Sequence, residues 1–272
     1  MKASRNELIA LFKQAFEGVG FDLGGYENAA DMIIWAQMHG LNSFDVMRKR
    51  MADYQQRKEL LREQLTPKQL NADSDENAVI DAKNNSSIVA AGMAFYIAYV
   101  KAIKSTVAKV NVLNCFDRKL TIKKLVDCAK RGMVCLAYWR DGATLHVVTS
   151  DTGVCCPEYR QYSITALSEQ DDLAAEQHYF SKQHQQTLFV VCANNAANLQ
   201  EYITHNLPEL ESNQTSQANQ SKVISPAMMK SSYIEALTNG IDIDPSFWQE
   251  LATLGTQVLV ESTEQSRMGA GA

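Results

Sequence analysis

The sequence lacks the features that mark several large functional classes. Its 26 lysines and arginines are outnumbered by 31 aspartates and glutamates, for a net charge of -5, and they are scattered, so we expect no nucleic-acid partner. The longest apolar run, within Ile88–Val100, is interrupted by Gly92 and is shorter than the roughly 20 residues that cross a bilayer. The N-terminus enters an amphipathic helix without a basic, then apolar, leader. We therefore predict a cytoplasmic protein without a membrane partner.

The cysteines also lack a functional pattern. The six cysteines have neither C-x-x-C spacing nor neighbouring histidine pairs, and no metal site is predicted from them: Cys115, Cys128, Cys135, Cys155, Cys156 and Cys192. Reduced, mainly buried thiols are the simplest interpretation, with a zinc site as the alternative. The adjacent pair Cys155 and Cys156 leaves two readings open, a reactive vicinal site or a strand or turn with one thiol facing inward.

The chain opens with helical patterns. Ser4 and Glu7 have the spacing of a capping box, and apolar residues then follow at helical spacing: Leu8, Leu11, Phe12, Ala15 and Phe16. A second helix is predicted from about Gly25 to His39, closed by Gly40, with His39 as a C-terminal capping cation. A polar turn at residues 42–45 is expected to stand over a cleft, before a charged third helix from Val46 to about Gln64.

The middle of the chain alternates between strand and helix periods. Strands are predicted at 78–82, 107–113 and 133–138, with helices at 86–104 and 121–130 between them. This β-α-β-α-β order predicts a mixed α/β fold whose central sheet has crossover helices and a ligand crevice at the strand ends.

The remainder is less regular. Asp141-Gly142 predicts a hairpin turn, residues 162–186 carry only weak helix signals, and 187–192 is a buried strand. Helices are predicted at 198–206, 227–239 and 245–260. We divide the chain into an N-terminal helical segment (1–65), an α/β core that resembles a cofactor domain (66–210), a flexible linker (211–225), and C-terminal helices with a tail (226–272).

The segment around the second helix resembles a known signature. Ala36, Gly40, Ser43, Val46 and Arg48 match the spacing found at the N-terminus of the NAD(P)-dependent malate/L-lactate dehydrogenase family. The order of the later elements, from Val79-Ile80-Asp81 through the alanines of the following helix to Gly132-Met133, is also similar to that family's cofactor domain. The resemblance covers about the first half of the chain.

This resemblance implies a site from which the acid–base residue is missing. Where the family has Ser-His-Gly, with the histidine moving the proton during hydride transfer, this chain has Ser43-Phe44-Asp45. Phenylalanine has no titratable group. Asp45 and Asp117 are the candidate replacements, and Ser43 and Arg48 are the candidate contacts for a substrate carboxylate.

The resemblance implies NAD(P) as cofactor, with Asn114, Arg118 and Lys119 as the candidate binding residues. The turn after Asn114 reads Cys-Phe-Asp-Arg-Lys and has no glycine before Gly132, which argues against dinucleotide binding in the family manner.

The C-terminal tail resembles an uncharacterised bacterial family of unknown function (DUF3726-like), through Ser266-Arg267 and the Gly-Ala repeat at 269–272. A flexible end is the alternative reading of that tail. The dehydrogenase family forms dimers, so a homodimer is expected by analogy.

Two hypotheses follow. The first is a dehydrogenase-like scaffold without hydride transfer, a pseudoenzyme that binds a small carboxylate or a partner subunit. The second is an enzyme acting on a small 2-keto, 2-hydroxy or imino acid with altered catalytic residues.

Overall fold

A computed structural model describes residues 1–56, 65–71, 74–163, 186–207 and 220–256. Eight helices lie in these residues: α1 (Arg5–Gly18), α2 (Leu23–Met38), α3 (Ser43–Gln56), α4 (Ser87–Ser105), α5 (Ile122–Lys130), α6 (Ala196–Asn206), α7 (Pro226–Asn239) and α8 (Pro245–Gly255). A short 3₁₀ turn, Arg118–Thr121, precedes α5.

Ten strands accompany these helices in the described residues. They are β1 (Lys2–Ala3), β2 (Lys68–Asn71), β3 (Asn77–Ser86), β4 (Val107–Phe116), β5 (Val134–Asp141), β6 (Thr144–Ser150), β7 (Glu158–Ser163), β8 (Leu188–Ala193), β9 (Gln220–Ile224) and β10 (Ile241–Asp242). Strands β1 and β10 pair with each other, and the other eight form one sheet in the order β2-β3-β4-β8-β5-β6-β7-β9. The predicted mixed α/β class is confirmed.

The central sheet has a crossover topology around one inserted strand. β3 and β4 are parallel and are joined by α4. β8 lies between β4 and β5 and is antiparallel to both, so β4 and β5, joined by α5, run in the same direction. The carboxyl ends of β3, β4 and β5 therefore lie at one edge of the sheet, which we call the carboxyl edge.

Each face of the sheet is covered by helices. The alternation of β5 shows the division, because Cys135, Ala137 and Trp139 join the core cluster shared with the N-terminal helices, whereas Val134 and Leu136 join the smaller cluster under α6. Helix α4 packs against β3, β4 and β8, and α2 lies on α4 and α5. The two ends of the chain thus form an outer layer on the same side as α4 and α5.

Helix α4 is the most apolar helix in the described residues. Its 19 residues are long and apolar enough to span a bilayer by composition alone. Its inward side chains, which include Ile88, Ala91 and Phe95, are buried against the sheet, as expected for the core helix of a soluble α/β fold. The helix lies one residue from its predicted range, 86–104.

Helices α1 and α8 cross with their backbones in close contact. A Cβ atom added at Gly18 would lie 2.8 Å from the carbonyl carbon of Leu254 and closer still to its oxygen. Phe12 of α1 also packs edge-on against Phe247 of α8, with 6.0 Å between ring centroids. The crossing therefore requires glycine at position 18.

The N-terminal helix begins as predicted. Ser4 caps α1, its Oγ accepts from the Glu7 N–H, and the Glu7 carboxylate accepts from the Ser4 N–H. The five apolar residues predicted for its inner face are all buried.

Helix α2 also ends at the predicted residue, but its cap differs in charge. The His39 Nδ1 atom lies 2.7 Å from the Trp35 carbonyl oxygen. Burial lowers the pKa of His39, and Lys130 and Lys123 lower it further. The hydrogen bond with the Trp35 carbonyl opposes this shift of the pKa, and the net effect disfavours the charged form of the His39 cap.

Several segments differ from the sequence prediction. Ser43–Asp45 is not a turn over a cleft: the residues form the first turn of α3, and Ser43 and Phe44 are buried. β9 lies inside the predicted linker 211–225 and pairs with β7. β2 lies where a connection was expected. β7 was not predicted, and only its last two residues fall in the segment with weak helix signals. Residues 57–64 and 257–260 of two predicted helices, most of 162–186, and the Gly-Ala tail lie outside the described residues.

Replacing Gly18 with alanine should destabilise the protein, because the added methyl group overlaps backbone atoms of α8 that cannot rotate away. We expect a loss of about 2–3 kcal/mol and a fall in Tm of roughly 4–10 °C, measured by circular dichroism. Gly24→Ala is the matched control, since a Cβ there meets nothing within 4 Å. Equal Tm values for the two variants would show that the crossing is looser than described.

Candidate functional site

Phe44, at the position of the expected acid–base histidine, lies in an aromatic cluster. Its side chain is 7% exposed. The ring centroid lies 5.5 Å from that of Phe12 and 6.2 Å from that of Phe247. Helices α1, α3 and α8 meet here, so position 44 has a packing role in this chain.

Ser43 and Arg48, the candidate carboxylate contacts, both bind other parts of the chain. The fully buried Ser43 Oγ donates to the Ile33 carbonyl oxygen at 2.7 Å. The Arg48 guanidinium bridges to α8, where it contacts Glu250 at 2.5 Å and Asp244 at 3.5 Å. Hydrogen bonding to Glu250 raises the pKa of Arg48. An external carboxylate would have to compete with these two carboxylates for Arg48.

Asp117 and Asn114 lie at the carboxyl edge, where both are bound within the chain. The Asp117 carboxylate accepts from the Arg50 Nε atom at 2.9 Å, and both side chains of this pair are largely buried. The Asn114 amide donates to Asp81 Oδ1 at 2.9 Å. These contacts tie α3 to β4 and β4 to β3.

The same edge holds a group of left-handed backbone conformations. Lys83, Asn84, Asn114 and Asp117 all have φ between 52° and 58°, which is uncommon for residues other than glycine. Lys83 and Asn84 lie in the last part of β3, Asn114 lies in the last part of β4, and Asp117 directly follows β4. The pairing register of these two strands shifts between Asp81 and Asn85. Such conformations persist where surrounding contacts fix them, and they cluster at functional sites.

Arg118 is the first member of a network of polar contacts that extends across β5, β6 and β7. It pairs with Asp141, which also accepts from the Trp139 indole N–H. The His146 Nε2 atom lies 3.3 Å from Asp141, and its Nδ1 atom lies 2.6 Å from the Tyr159 hydroxyl. Because Gln161 donates to that hydroxyl, we assign the Tyr159 O–H as donor to a neutral His146.

The charge state of His146 follows from its surroundings. Burial lowers the pKa of His146 to about 4, the Asp141 carboxylate opposes the shift, and Arg118 and Lys119 reinforce it. Its ring is also stacked on Trp139, with 5.0 Å between centroids. The alternating pattern of the sequence predicts only a packing or surface residue at position 146. The network of polar contacts from Arg118 to Tyr159 forms only when the sheet brings β5, β6 and β7 together.

Lys119 and Asp45 are brought near each other. Burial lowers the pKa of Lys119, as does the charge of Lys222, and the exposed Asp45 carboxylate acts in the opposite direction. Of the predicted site residues, Asp45, Asp117, Arg118 and Lys119 therefore lie on one side of the molecule. Ser43 lies in the core, and Arg48 faces α8.

The structure contains a second candidate site that the sequence analysis does not predict. A groove of about 970 Å³ runs between α2, α5, α7 and the loop before β7, and we call it the basic groove. Its charged lining consists of Arg5, Lys123, Lys130 and Lys230, with Asp31 as the acidic member. Cys155 and Cys156 also line it, with Cys155 exposed. Lys123 and Lys130 come from α5 and Lys230 from α7, about 100 residues later, so no local motif marks this surface.

Three further thiols form a buried cluster. Cys135 and Cys192 are register partners on β5 and β8, and their sulfur atoms lie 3.7 Å apart. Cys128 packs nearby on α5 and donates to the Phe95 carbonyl oxygen. Within the described residues, no group of three or more histidine, cysteine or acidic side chains has an arrangement suited to a metal ion.

Comparison with solved structures identifies the class of fold. The chain is similar to malate dehydrogenase from Pyrococcus horikoshii OT3, with 12% identity, a TM-score of 0.60 and 96% of each chain covered. It is also similar to a putative malate/lactate dehydrogenase from E. coli, with 14% identity, a TM-score of 0.62 and 98% of each chain covered. A third similar structure is delta1-piperideine-2-carboxylate reductase from Pseudomonas syringae pvar. tomato, with 13% identity, a TM-score of 0.53, and 93% of this chain and 99% of that chain covered.

The chain therefore has the malate/lactate dehydrogenase fold, which confirms the resemblance at the level of structure. Residues 3–86 match the family described as "Protein of unknown function (DUF3726)". A search of curated proteins found no match. Sequence identities this low establish the fold and leave the activity to be argued from the site.

The carboxyl edge does not fit a dinucleotide in the way the resemblance implies. The Asn114 amide and the Arg118 guanidinium are bound to Asp81 and Asp141. The Asp117 carboxylate, which lies between them in sequence, is paired with Arg50. We therefore derive no reaction step through NAD(P).

The depressed pKa of His146 predicts a specific pH dependence of stability. The unfolded chain binds a proton at His146 below about pH 6.5, whereas the folded chain does so only near pH 4. Stability should therefore fall as the pH drops from 6.5 towards 4. In urea unfolding, His146→Asn should flatten this fall relative to the wild type. The exposed His205→Asn is the control, and an unchanged slope in His146→Asn would contradict the assignment.

Proposed function

We propose that this chain is a ligand-binding protein on a malate/lactate dehydrogenase scaffold, without the hydride transfer of that family, and that it binds a small carboxylate. The observation that carries the proposal is the packing of Phe44 between Phe12 and Phe247. Hydride transfer to a keto group needs a proton donor within hydrogen-bond reach of the substrate oxygen. A buried phenyl ring held by two others offers neither the proton nor space for the substrate.

The neighbouring polar groups do not replace that donor. Ser43 donates to a carbonyl oxygen of α2, and Asp117 is paired with Arg50. Asp45 is exposed. A solvated carboxylate has a pKa near 4 and is almost fully ionised at neutral pH, so it is a poor proton donor there.

A ligand carboxylate would bind more favourably at a position away from Arg48. At Arg48 it would have to displace Glu250 and Asp244, which are held at high local concentration by α8. Lysines that have no acidic partner carry no such cost. The basic groove contains lysines of this kind, which supports it as the binding region.

A second candidate is an enzyme with altered chemistry at the carboxyl edge. The left-handed residues and the network of polar contacts from Arg118 to Tyr159 favour it, because backbone strain and buried polar networks concentrate at active sites. In this alternative Asp45 or Asp117 would be the acid–base residue and a 2-keto, 2-hydroxy or imino acid the substrate.

A partner subunit is a further proposal. Helix α7 buries only Met229 and exposes three large apolar side chains, Met228, Ile234 and Leu237. Homodimer formation would cover them. Sedimentation velocity measures the oligomeric state, and a monomer at high protein concentration would exclude a stable homodimer.

The direct test is oxidation of NADH and NADPH with oxaloacetate, pyruvate and delta1-piperideine-2-carboxylate. We expect rates equal to the blank without protein, with the Pyrococcus malate dehydrogenase as a positive control. Turnover of any of these substrates by the wild-type chain would overturn the proposal.

Restoring the histidine should not restore activity. In Phe44→His the imidazole would be buried between two phenyl rings without a hydrogen-bond partner, at a cost of about 1–3 kcal/mol. We expect a lower Tm and no NAD(P)H oxidation, with Phe44→Leu as the apolar control. Measurable hydride transfer by Phe44→His would show that the site is open and lacks only its histidine.

A further inference from the structure

The basic groove is unusual for this protein because its charge opposes that of the whole chain. The chain carries a net charge of -5. The groove is lined by four cationic side chains and one acidic side chain, so its lining is positive. A local field of this sign, on an acidic protein, favours an anionic ligand.

The four cations are not equivalent. Asp31 pairs with Lys123 at 2.7 Å and with Arg5 at 3.6 Å, and Lys123 is also paired with Asp127. Lys130 and Lys230 form no ion pair with any carboxylate in the part of the chain that the structure describes. The net positive charge of the groove thus belongs mainly to these two lysines.

Lys130 and Lys230 converge on one part of the groove. They come from different helices, α5 and α7, and both are close enough to Cys156 for their charges to act on its thiol. Burial raises the pKa of this thiol, and the two lysine charges oppose that shift. The first turn of α7, at Pro226 and Ala227, lines the same groove. The positive end of that helix dipole adds to the two lysine charges.

Part of the groove lining is apolar and aromatic. Trp35, His39 and Tyr233 form a continuous stack, with 3.9 Å and 5.0 Å between successive ring centroids. Both faces of His39 are covered within this stack, whereas Tyr233 and Leu237 are partly exposed. A ligand in the groove would therefore meet apolar surface beside the two lysines.

We propose that the basic groove binds a small organic dianion with an apolar body, namely an aromatic dicarboxylate or an aryl phosphate. Lys130 and Lys230 would hold the two negative charges, and the stacked rings would cover the apolar part. This binding site rests on the proposed function for the existence of a small anionic ligand, and it widens the ligand from a carboxylate to an organic dianion. It does not depend on the absence of hydride transfer.

Isothermal titration calorimetry with isophthalate and with phenyl phosphate tests the proposal. We expect at least one to bind with a micromolar to low-millimolar Kd, and more weakly at high ionic strength because the contacts are charged. Tighter binding of isophthalate would identify a carboxylate ligand, and tighter binding of phenyl phosphate a phosphate ester. Absence of binding by both probes would overturn the proposal, as would equal binding of neutral benzamide.

Variants locate the site. Lys130→Gln and Lys230→Gln should each weaken binding roughly tenfold, the loss of about one charge-assisted contact. Lys104→Gln, an exposed lysine on α4 outside the groove, is the matched control and should bind as the wild type does. Both groove lysines are exposed, so the variants should fold, and unchanged Tm values would verify this. Wild-type affinity in the double variant would refute the location.

A second measurement does not rely on the lysines. Cys155 is exposed in the groove, so bound ligand should slow its alkylation by iodoacetamide, measured by mass spectrometry. Alkylation of Cys155 at the same rate with saturating ligand would place the ligand elsewhere. Detection of NAD(P)H oxidation would refute the proposed function and leave these binding results unaffected, so the two failures are distinguishable.

Discussion

The contact of Phe12, Phe44 and Phe247 is the constraint on which the outer helical layer depends. It joins three helices whose residues lie at opposite ends of the chain, and Gly18 lets α8 approach α1 closely enough to complete it. The paired strands β1 and β10 and the bridge from Arg48 to Glu250 reinforce the same junction. Phe44 therefore closes this junction at the position where the resembled dehydrogenases have their histidine.

The carboxyl edge and the basic groove differ in how their charges are balanced. At the edge, Arg50 and Arg118 meet Asp117 and Asp141 of the same chain, so the charges hold elements together. In the groove, two lysines have no described acidic partner, although the chain is acidic overall. A paired cation helps to hold two elements together, whereas unpaired cations near each other repel, and an anion bound between them relieves that repulsion.

Local signals in the sequence predict much of the fold. The capping box at Ser4, the helical spacing around Phe12, and the alternation in β4 are all local patterns, and each element lies close to its predicted position. β7 and β9 are missed because they are polar strands at one side of the sheet, and pairing rather than apolar content defines them. β8 is predicted as a strand, but its insertion between β4 and β5 depends on long-range pairing that periodicity does not encode.

The site is less predictable than the fold because its chemistry depends on partners distant in sequence. Arg48 looks like a substrate contact until α8, about 200 residues later, supplies Glu250. Lys130 and Lys230 look like ordinary surface lysines until two helices bring them to one groove. A chain can therefore contain the residues of a signature although these residues bind other side chains of the same chain, as Arg48 binds Glu250. For this reason the proposed ligand is placed at the unpaired lysines of the basic groove, and not at the residues of the signature.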